Sequence, residues 1–395
     1  MNRPPLEAAD IVRAQGRRFI ENNRTWIHWV HQKVLRAIVR CRTAALGGHR
    51  DQCPGCDYQA IAYNSCGNRP CPKCQAGARQ RWLAARQQEL LAVGYFHLVF
   101  TLPHQLSPPA LQNKKVLDNL LFRTSAEALR QLTADPDHLG AEVGFLSVLQ
   151  TWGQNLLHRP HVHGVIPAGG LSPDHTRWIH LRYPFLLPVK VLSRVFRGKF
   201  VAALKRRFRQ GQLIFAGSLQ PLSDPKAFAS FLPTLFRQDW VVYAKPPFGG
   251  PERVLRYLAR YTHRVAISNH RLLAFENDQV TFFWKDYTHG KKKRKMTLSS
   301  QEFLRRFLLH VLPRSFVRIR FFGFLAPRRR AKLLPLCQRL LTDHPSPNPS
   351  GKTTSSTEAP AWFRCPKCAT PLVLVERFSF LHSFAVMRRT PFDTS

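Results

Sequence analysis

No stretch of this 395-residue sequence approaches the roughly 18 uncharged apolar residues that a membrane-spanning helix requires. The opening Met1-Asn2-Arg3-Pro4-Pro5-Leu6-Glu7 also lacks the apolar centre of a secretory leader, so the chain is expected in the cytoplasm. Acidic side chains are scarce: 23 Asp and Glu stand against 60 Lys and Arg, a formal net charge of +37. Charge of one sign on that scale repels itself unless a polyanion neutralises it, and the natural polyanion is nucleic acid. A ribosomal or membrane-surface protein would share this signature, so charge alone names a partner class and no chemistry. Internal repeats are absent. Cysteine is confined to nine residues, an odd number, and seven fall in two short clusters with two-residue gaps. In a reducing compartment such clusters read as metal ligands rather than disulfides.

What is present suffices for real cores: 44% of residues are hydrophobic, and the length suits two or three domains. Apolar and basic spacing over residues 8–45 fits one or two helices. A cysteine-rich loop region from Cys53 to Cys74 follows, then an Arg- and Ala-rich helix over about Gln75 to Leu91. Tyr95 to Leu102 is β-branched and aromatic and ends at Pro103, which predicts a buried strand. Helical stretches are expected near 108–132 and 143–157, and a second strand over His161 to Ile166, closed by Ala168-Gly169-Gly170. Pro188 opens a basic amphipathic helix to about Arg209, and Trp240 to Ala244 reads as a strand. Gly249-Gly250-Pro251 leads into a helix carrying two tyrosines. Val265 to Ser268, Arg271 to Phe275 and Val280 to Trp284 alternate like a meander, and a helix spans Ser299 to Leu312. Lys291 to Lys295 is a run of five cations expected at a hairpin tip. From Thr342 to Ala361 the composition shifts to Ser, Pro, Thr and Gly, a linker, and the short remainder is too small for a core of its own. Strands and helices without regular βαβ alternation predict an α+β fold.

Four constellations carry chemistry. Cys53-x2-Cys56 and Cys71-x2-Cys74, with Cys66 between the pairs, can close a tetrahedral thiolate shell around Zn²⁺; Cys66 or His49 could substitute for one ligand. Cys365-Pro366-Lys367-Cys368 supplies half a site, either a vestige or one completed by Cys337, His382 or another chain. His161 and His163 sit one residue apart on a predicted strand, so both imidazoles face the same way. In a buried strand they need a partner, and a cation serves; imidazole suits Zn, Mn, Co and Ni better than Mg, phosphoryl transfer suits Mg²⁺ or Mn²⁺, and Mn²⁺ satisfies both. His158 is the nearest candidate for a third ligand, with His97, Gln154 and His263 as alternatives. Finally, Tyr257 and Tyr261 share a helix face beside a cationic stripe of Arg253, Arg256, Arg260 and Arg264. Apolar core would not want those guanidinium groups, whereas DNA would, and nearby cations favour the nucleophilic phenolate.

These motifs resemble the HUH endonucleases, named for a His-hydrophobic-His metal motif, and among them the two-tyrosine rolling-circle transposases of the insertion-sequence-91 family. The likeness runs through Arg69-Pro70-Cys71-Pro72-Lys73-Cys74-Gln75, Phe96 to Pro103, Pro160-His161-Val162-His163-Gly164-Val165 and Leu187-Pro188-Val189. Its most specific part is Tyr257-Leu258-Ala259-Arg260-Tyr261-Thr262-His263-Arg264. The resemblance implies an antiparallel sheet with flanking helices, histidines on a central strand, and a small N-terminal zinc-binding module. It implies His161 and His163 as metal ligands and Tyr257 and Tyr261 as nucleophiles. It further implies nicking and transfer of single-stranded or hairpin DNA at element ends through a 5′-phosphotyrosine, in a nucleoid-associated bacterial protein that needs no membrane and has further copies of itself as a candidate partner. A plasmid replication initiator or relaxase would share that chemistry, and a zinc-dependent DNA-binding regulator would lack it. The expected domains are a helical, four-cysteine zinc-binding module over 1–92, a catalytic domain over 93–341, the linker over 342–361, and a tail with a CxxC knuckle over 362–395.

Overall fold

The structure, a computed structural model, describes residues 4–245, 265–286, 290, 292–343 and 364–379. In chain order α1 (Ala8–Asn22), α2 (Trp29–Arg40), β1 (Gly48–Gln52), β2 (Gln59–Tyr63) and α3 (Gln75–Gln87) come first. Next are β3 (Tyr95–Thr101), α4 (Ser107–Gln112), α5 (Lys114–Ala134), β4 (Phe145–Trp152) and β5 (His158–Pro167). Then follow β6 (Gly169–Leu171), β7 (Trp178–His180), α6 (Val189–Arg209), α7 (Pro225–Thr234) and β8 (Val242–Lys245). The last group is β9 (Leu272–Glu276), β10 (Gln279–Asp286), β11 (Lys292–Ser299), α8 (Ser300–Leu308), β12 (Ile319–Phe322), α9 (Pro327–Asp343) and β13 (Val373–Phe378). The described residues divide into two compact units. One is drawn from within Met1–Ala78, Val265–Val311 and Lys352–Ser395, the other from within Arg79–Arg264 and Leu312–Gly351.

The larger unit is built on a five-stranded sheet in the order β12-β4-β5-β3-β8, antiparallel at every pairing. β5 is its middle strand. One face is covered by α5, α6 and α7: α6 turns Leu192, Phe196, Phe200 and Ala203 inward at helical spacing onto Phe96, Leu98, Phe100, Val162 and Ile166. Each large side chain buried there stabilises by about 1.5–3 kcal/mol. The other face carries a second cluster in which Tyr95, Leu146, Val148 and Val165 meet Leu333, Leu334 and Cys337 of α9. The sheet is therefore buried on both sides.

That double burial corrects one expectation. The run over 143–157, predicted helical, contains β4, all eight of whose residues are buried. A strand covered on both faces loses its alternation, and periodicity then cannot separate it from a buried helix. Gly144 and Gly153 bracket it, and a Cβ on Gly144 would sit 2.4 Å from the Phe324 ring. Gly323 turns the chain beyond β12 at φ +60°, where an added Cβ would collide with the Val143 carbonyl.

In the smaller unit α1 packs on α2 and α8, and β9, β10 and β11 form a meander in the order β11-β10-β9. Val265 to Ser268, expected as its first strand, is irregular chain with Ala266 and Ile267 buried. The cations Lys292 to Lys295 lie within β11 rather than at a turn, paired with Phe283 to Asp286 of β10. A second three-stranded sheet, β13-β1-β2, joins the cysteine region to the C-terminal segment.

Candidate functional site

Strand parity sorts the histidines. On β5, His161, His163 and Val165 share one face, while Val162 and Ile166 point into the core beneath α5 and α6. The β3 register sets His97 opposite Val165 and Val99 opposite His163, so His97 lies on the same face, diagonal to His163. His97 Nε2 and His163 Nδ1 are 2.9 Å apart, their rings nearly parallel at 10°. The His161 ring lies 4.9 Å from that of His163, centroid to centroid. His161 Nδ1 is 2.7 Å from the Arg159 carbonyl oxygen. A carbonyl only accepts, so Nδ1 carries the hydrogen and Nε2 is the nitrogen with the lone pair.

His97 and His163 are both buried. Burial pushes His97 down to about 4, and Lys245 and His161 add to the effect, so its imidazole is neutral at pH 7 and able to ligate. Gln150 of β4 stands opposite His161, buried, and its Nε2 has no hydrogen-bond partner among the described residues. His158, expected as the nearest third ligand, is not part of this group. The β4–β5 ladder shifts register between His158 and His161, Gln150 pairing with His161 and Trp152 with His158, so alternation alone does not place His158. It faces α4 and α5, where burial and the charge of Lys114 lower it to about 4 against an opposing hydrogen bond with the Ser107 backbone. His97, carried only as an alternative, is the histidine that stands beside His163. Gln154 lies in the turn between β4 and β5. Tyr257, Tyr261, Arg253, Arg256, Arg260, Arg264 and His263 lie outside the described residues.

The cysteines form two groups, not one. Cys53 and Cys56 do not share a shell with Cys71 and Cys74. Cys41, Cys66, Cys71 and Cys74 converge with all four sulfurs within 4.8 Å of one another, and so do Cys53, Cys56, Cys365 and Cys368. Cys41 ends α2 and was missed because its nearest cysteine in sequence is not two residues away but twelve. Its hydrogen-bonded neighbours Cys66, Cys71 and Cys74 pull its thiol far below the ordinary value, and Cys41 and Cys66 push Cys71 far above it. Four thiolates at this spacing cannot coexist without a cation, so the group suits a soft divalent ion. His49, offered as a substitute ligand, belongs to neither group and sits 3.5 Å from Asp51.

One further feature escaped the sequence reading. Between β7 and α6, Tyr183 and Phe185 are 60% and 49% exposed and stack on each other at 5.4 Å and 6°. Arg182, Lys190 and Arg194 around them are exposed, and no acidic residue interrupts 175–223. Alternation of aromatic and proline in Arg182-Tyr183-Pro184-Phe185 was the available signal.

The chain matches two family models, one described as "Transposase zinc-binding domain" over residues 11–102 and one described as "Putative transposase" over residues 144–332. It is 51% identical over 365 residues to "Putative transposase y4qJ" of Sinorhizobium fredii (strain NBRC 101917 / NGR234), covering 92% of this chain and 90% of that protein. It is 28% identical over 378 residues to "Transposase for insertion sequence element IS801" of Pseudomonas savastanoi pv. phaseolicola, covering 91% and 88%. No solved structure matches it.

Proposed function

Since the chain belongs to the insertion-sequence-91 family of transposases with a zinc-binding domain, we propose that it is a transposase that nicks and rejoins single-stranded DNA at element ends through a phosphotyrosine. The observation that carries this reading is the His97, His161 and His163 group on one face of the central sheet. Ring nitrogens 2.9 Å apart match the edge of an octahedron whose ligand bonds are about 2.1 Å. His161, with its hydrogen committed to Arg159, offers Nε2 as a further ligand. His97 and His163 offer one close pair of nitrogens rather than a closed three-histidine shell, and a Mn²⁺ or Mg²⁺ ion held there would draw on His161 and on Gln150 beside it. When bound, the cation supplies positive charge where the scissile phosphate gathers negative charge.

Tyr257 and Tyr261 are the proposed nucleophiles. One phenolate oxygen bonds to phosphorus as the bond to the 3′ oxygen breaks; the 3′ oxygen takes up a proton, and the downstream 5′ end stays on the enzyme. Ester is exchanged for ester, so rejoining needs no ATP. Arg253, Arg256, Arg260 and Arg264 hold the DNA backbone and favour the phenolate. The exposed Tyr183 and Phe185 rings, in a basic setting, favour a single strand, whose unpaired bases stack on aromatic faces. Cys41, Cys66, Cys71 and Cys74 hold a structural zinc within the zinc-binding region.

The test is nicking of short single strands taken from the DNA flanking the gene, with Mn²⁺ or Mg²⁺ added. His97→Ala and the His161→Ala/His163→Ala pair should lose cleavage and keep most DNA binding, since the arginines hold the backbone. Loss of both together would point to a merely structural role for the histidines. Unchanged cleavage by all of them would refute the reading.

A further inference from the structure

The second cysteine group is assembled from the two ends of the chain, 309 residues or more apart. Cys53 Sγ lies 3.3 Å from Cys368 Sγ, and Cys56 Sγ lies 3.5 Å from both Cys365 and Cys368. These are close to the edge of a tetrahedral tetrathiolate shell, about 3.8 Å for bonds of about 2.3 Å. The backbone around the two halves is the same turn made twice. Cys53 N donates to the Tyr58 carbonyl and Asp57 N to the Cys53 carbonyl at 2.9 and 3.0 Å; Cys365 N donates to Thr370 and Ala369 N to Cys365 at 2.8 and 2.9 Å. Asp57 and Ala369, the residues following each second cysteine, both take positive φ, at 53° and 59°. Such left-handed residues cost energy, and finding the strain repeated on two unrelated sequences indicates a shared requirement. Gly55 lets the halves approach, since a Cβ there would meet Thr370 Oγ1 at 3.0 Å.

The rest of the C-terminal segment has little else to hold it. β13 pairs with β1 from Gly48 opposite Phe378 to Gln52 opposite Val373, yet five of its six residues are exposed. A ladder so poor in apolar burial is marginal without another tether. Four sulfurs in position for one ion provide it.

We propose that Cys53, Cys56, Cys365 and Cys368 hold a second zinc ion, which clasps the C-terminal segment onto the N-terminal cysteine module. The chain then carries two zinc ions of unequal lability. Cys56 and Cys368 are exposed, whereas three of the four cysteines in the first group are buried, so the clasp releases its ion first. The pair read from sequence as half a site is half of this one.

The experiment is a metal count on the zinc-loaded, full-length chain, with release followed after addition of a chromogenic chelator. Wild type should carry two ions and release them in a fast and a slow phase. Cys365→Ser/Cys368→Ser should carry one and lose only the fast phase, whereas Cys71→Ser should lose the slow one. Cobalt loading gives a second readout: the intensity of tetrathiolate absorption per chain should halve in Cys365→Ser/Cys368→Ser. Hydrogen exchange should rise in β1 and β13 of that variant while α1 and α2 stay protected. One ion in wild type, two in the double variant, or release of both ions together would overturn the proposal. These readouts need no DNA, so their failure is distinct from a failure of the transposase reading.

Discussion

At the residue scale the account turns on two histidines that the sequence made look alike. His158 and His97 are both buried and both shifted down to about 4, but His97 stands 2.9 Å from His163 whereas His158 sits against Lys114 and the Ser107 backbone. His158→Ala should therefore keep cation-dependent nicking within a few-fold of wild type on a per-folded-molecule basis, whereas His97→Ala should lose it by orders of magnitude. Equal losses in a nicking assay would contradict the assignment. His158 has a separate signature in stability. Its folded value lies below the unfolded 6.5, so between about 4 and 6.5 the unfolded chain binds the additional proton. The stability it contributes is present above 6.5 and lost as pH falls towards 4. Asp118, buried on α5 and pushed up to about 7 by burial, acts with the opposite sign over much of this window, since there the folded chain holds the extra proton. Comparison of variants separates them: denaturant melts of His158→Phe should show a shallower acid loss than wild type. An identical slope would mean that His158 titrates normally in the fold.

At the scale of elements, legibility followed burial pattern. α1, α2, β3, β5, α6 and α8 were readable because each shows one apolar face or a bounded β-branched run, and α3 from its Arg- and Ala-rich composition. β4 was not, being buried on both faces, and β13 was not, because its short run Val373-Leu374-Val375 is exposed and paired with β1 from the other end of the chain. The β5 histidines were legible from a two-residue period, but their partner His97 was contributed by register with β3, which no local pattern reveals. The same holds for Cys41. The loop between β7 and α6 carries a prediction of its own. If Tyr183 and Phe185 stack unpaired bases, replacing both by Ala should weaken binding to a short single strand by about thirty-fold or more, on a scale of roughly 1–3 kcal/mol per stacked base. Duplex affinity should not change. Fluorescence anisotropy with both probes checks this, and equal weakening of the two, or of neither, would remove the loop from the DNA path.

At the scale of the whole molecule, a net charge of +37 makes DNA affinity steeply salt-dependent, because each neutralised phosphate releases condensed counterions. A flat response between low and physiological salt would contradict electrostatic binding. Charge nevertheless gives affinity without chemistry. No helix among the described residues is long and apolar enough to cross a membrane. What makes this basic chain a transposase in the present account is a covalent step, and its proposed nucleophiles lie within residues 246–264, outside the described structure. The most direct measurement is therefore chemical. The protein is incubated with single strands from its flanking DNA, labelled at the 5′ end in one sample and the 3′ end in another, and resolved under denaturing conditions. The account predicts that protein becomes linked to the fragment carrying the 3′ label, through its newly made 5′ phosphate, while the upstream fragment ends in a free 3′-OH. Tyr257→Phe and Tyr261→Phe alone should each retain some nicking, and the double variant should form no adduct. Protein attached to the upstream fragment, or an adduct surviving in the double variant, would contradict it.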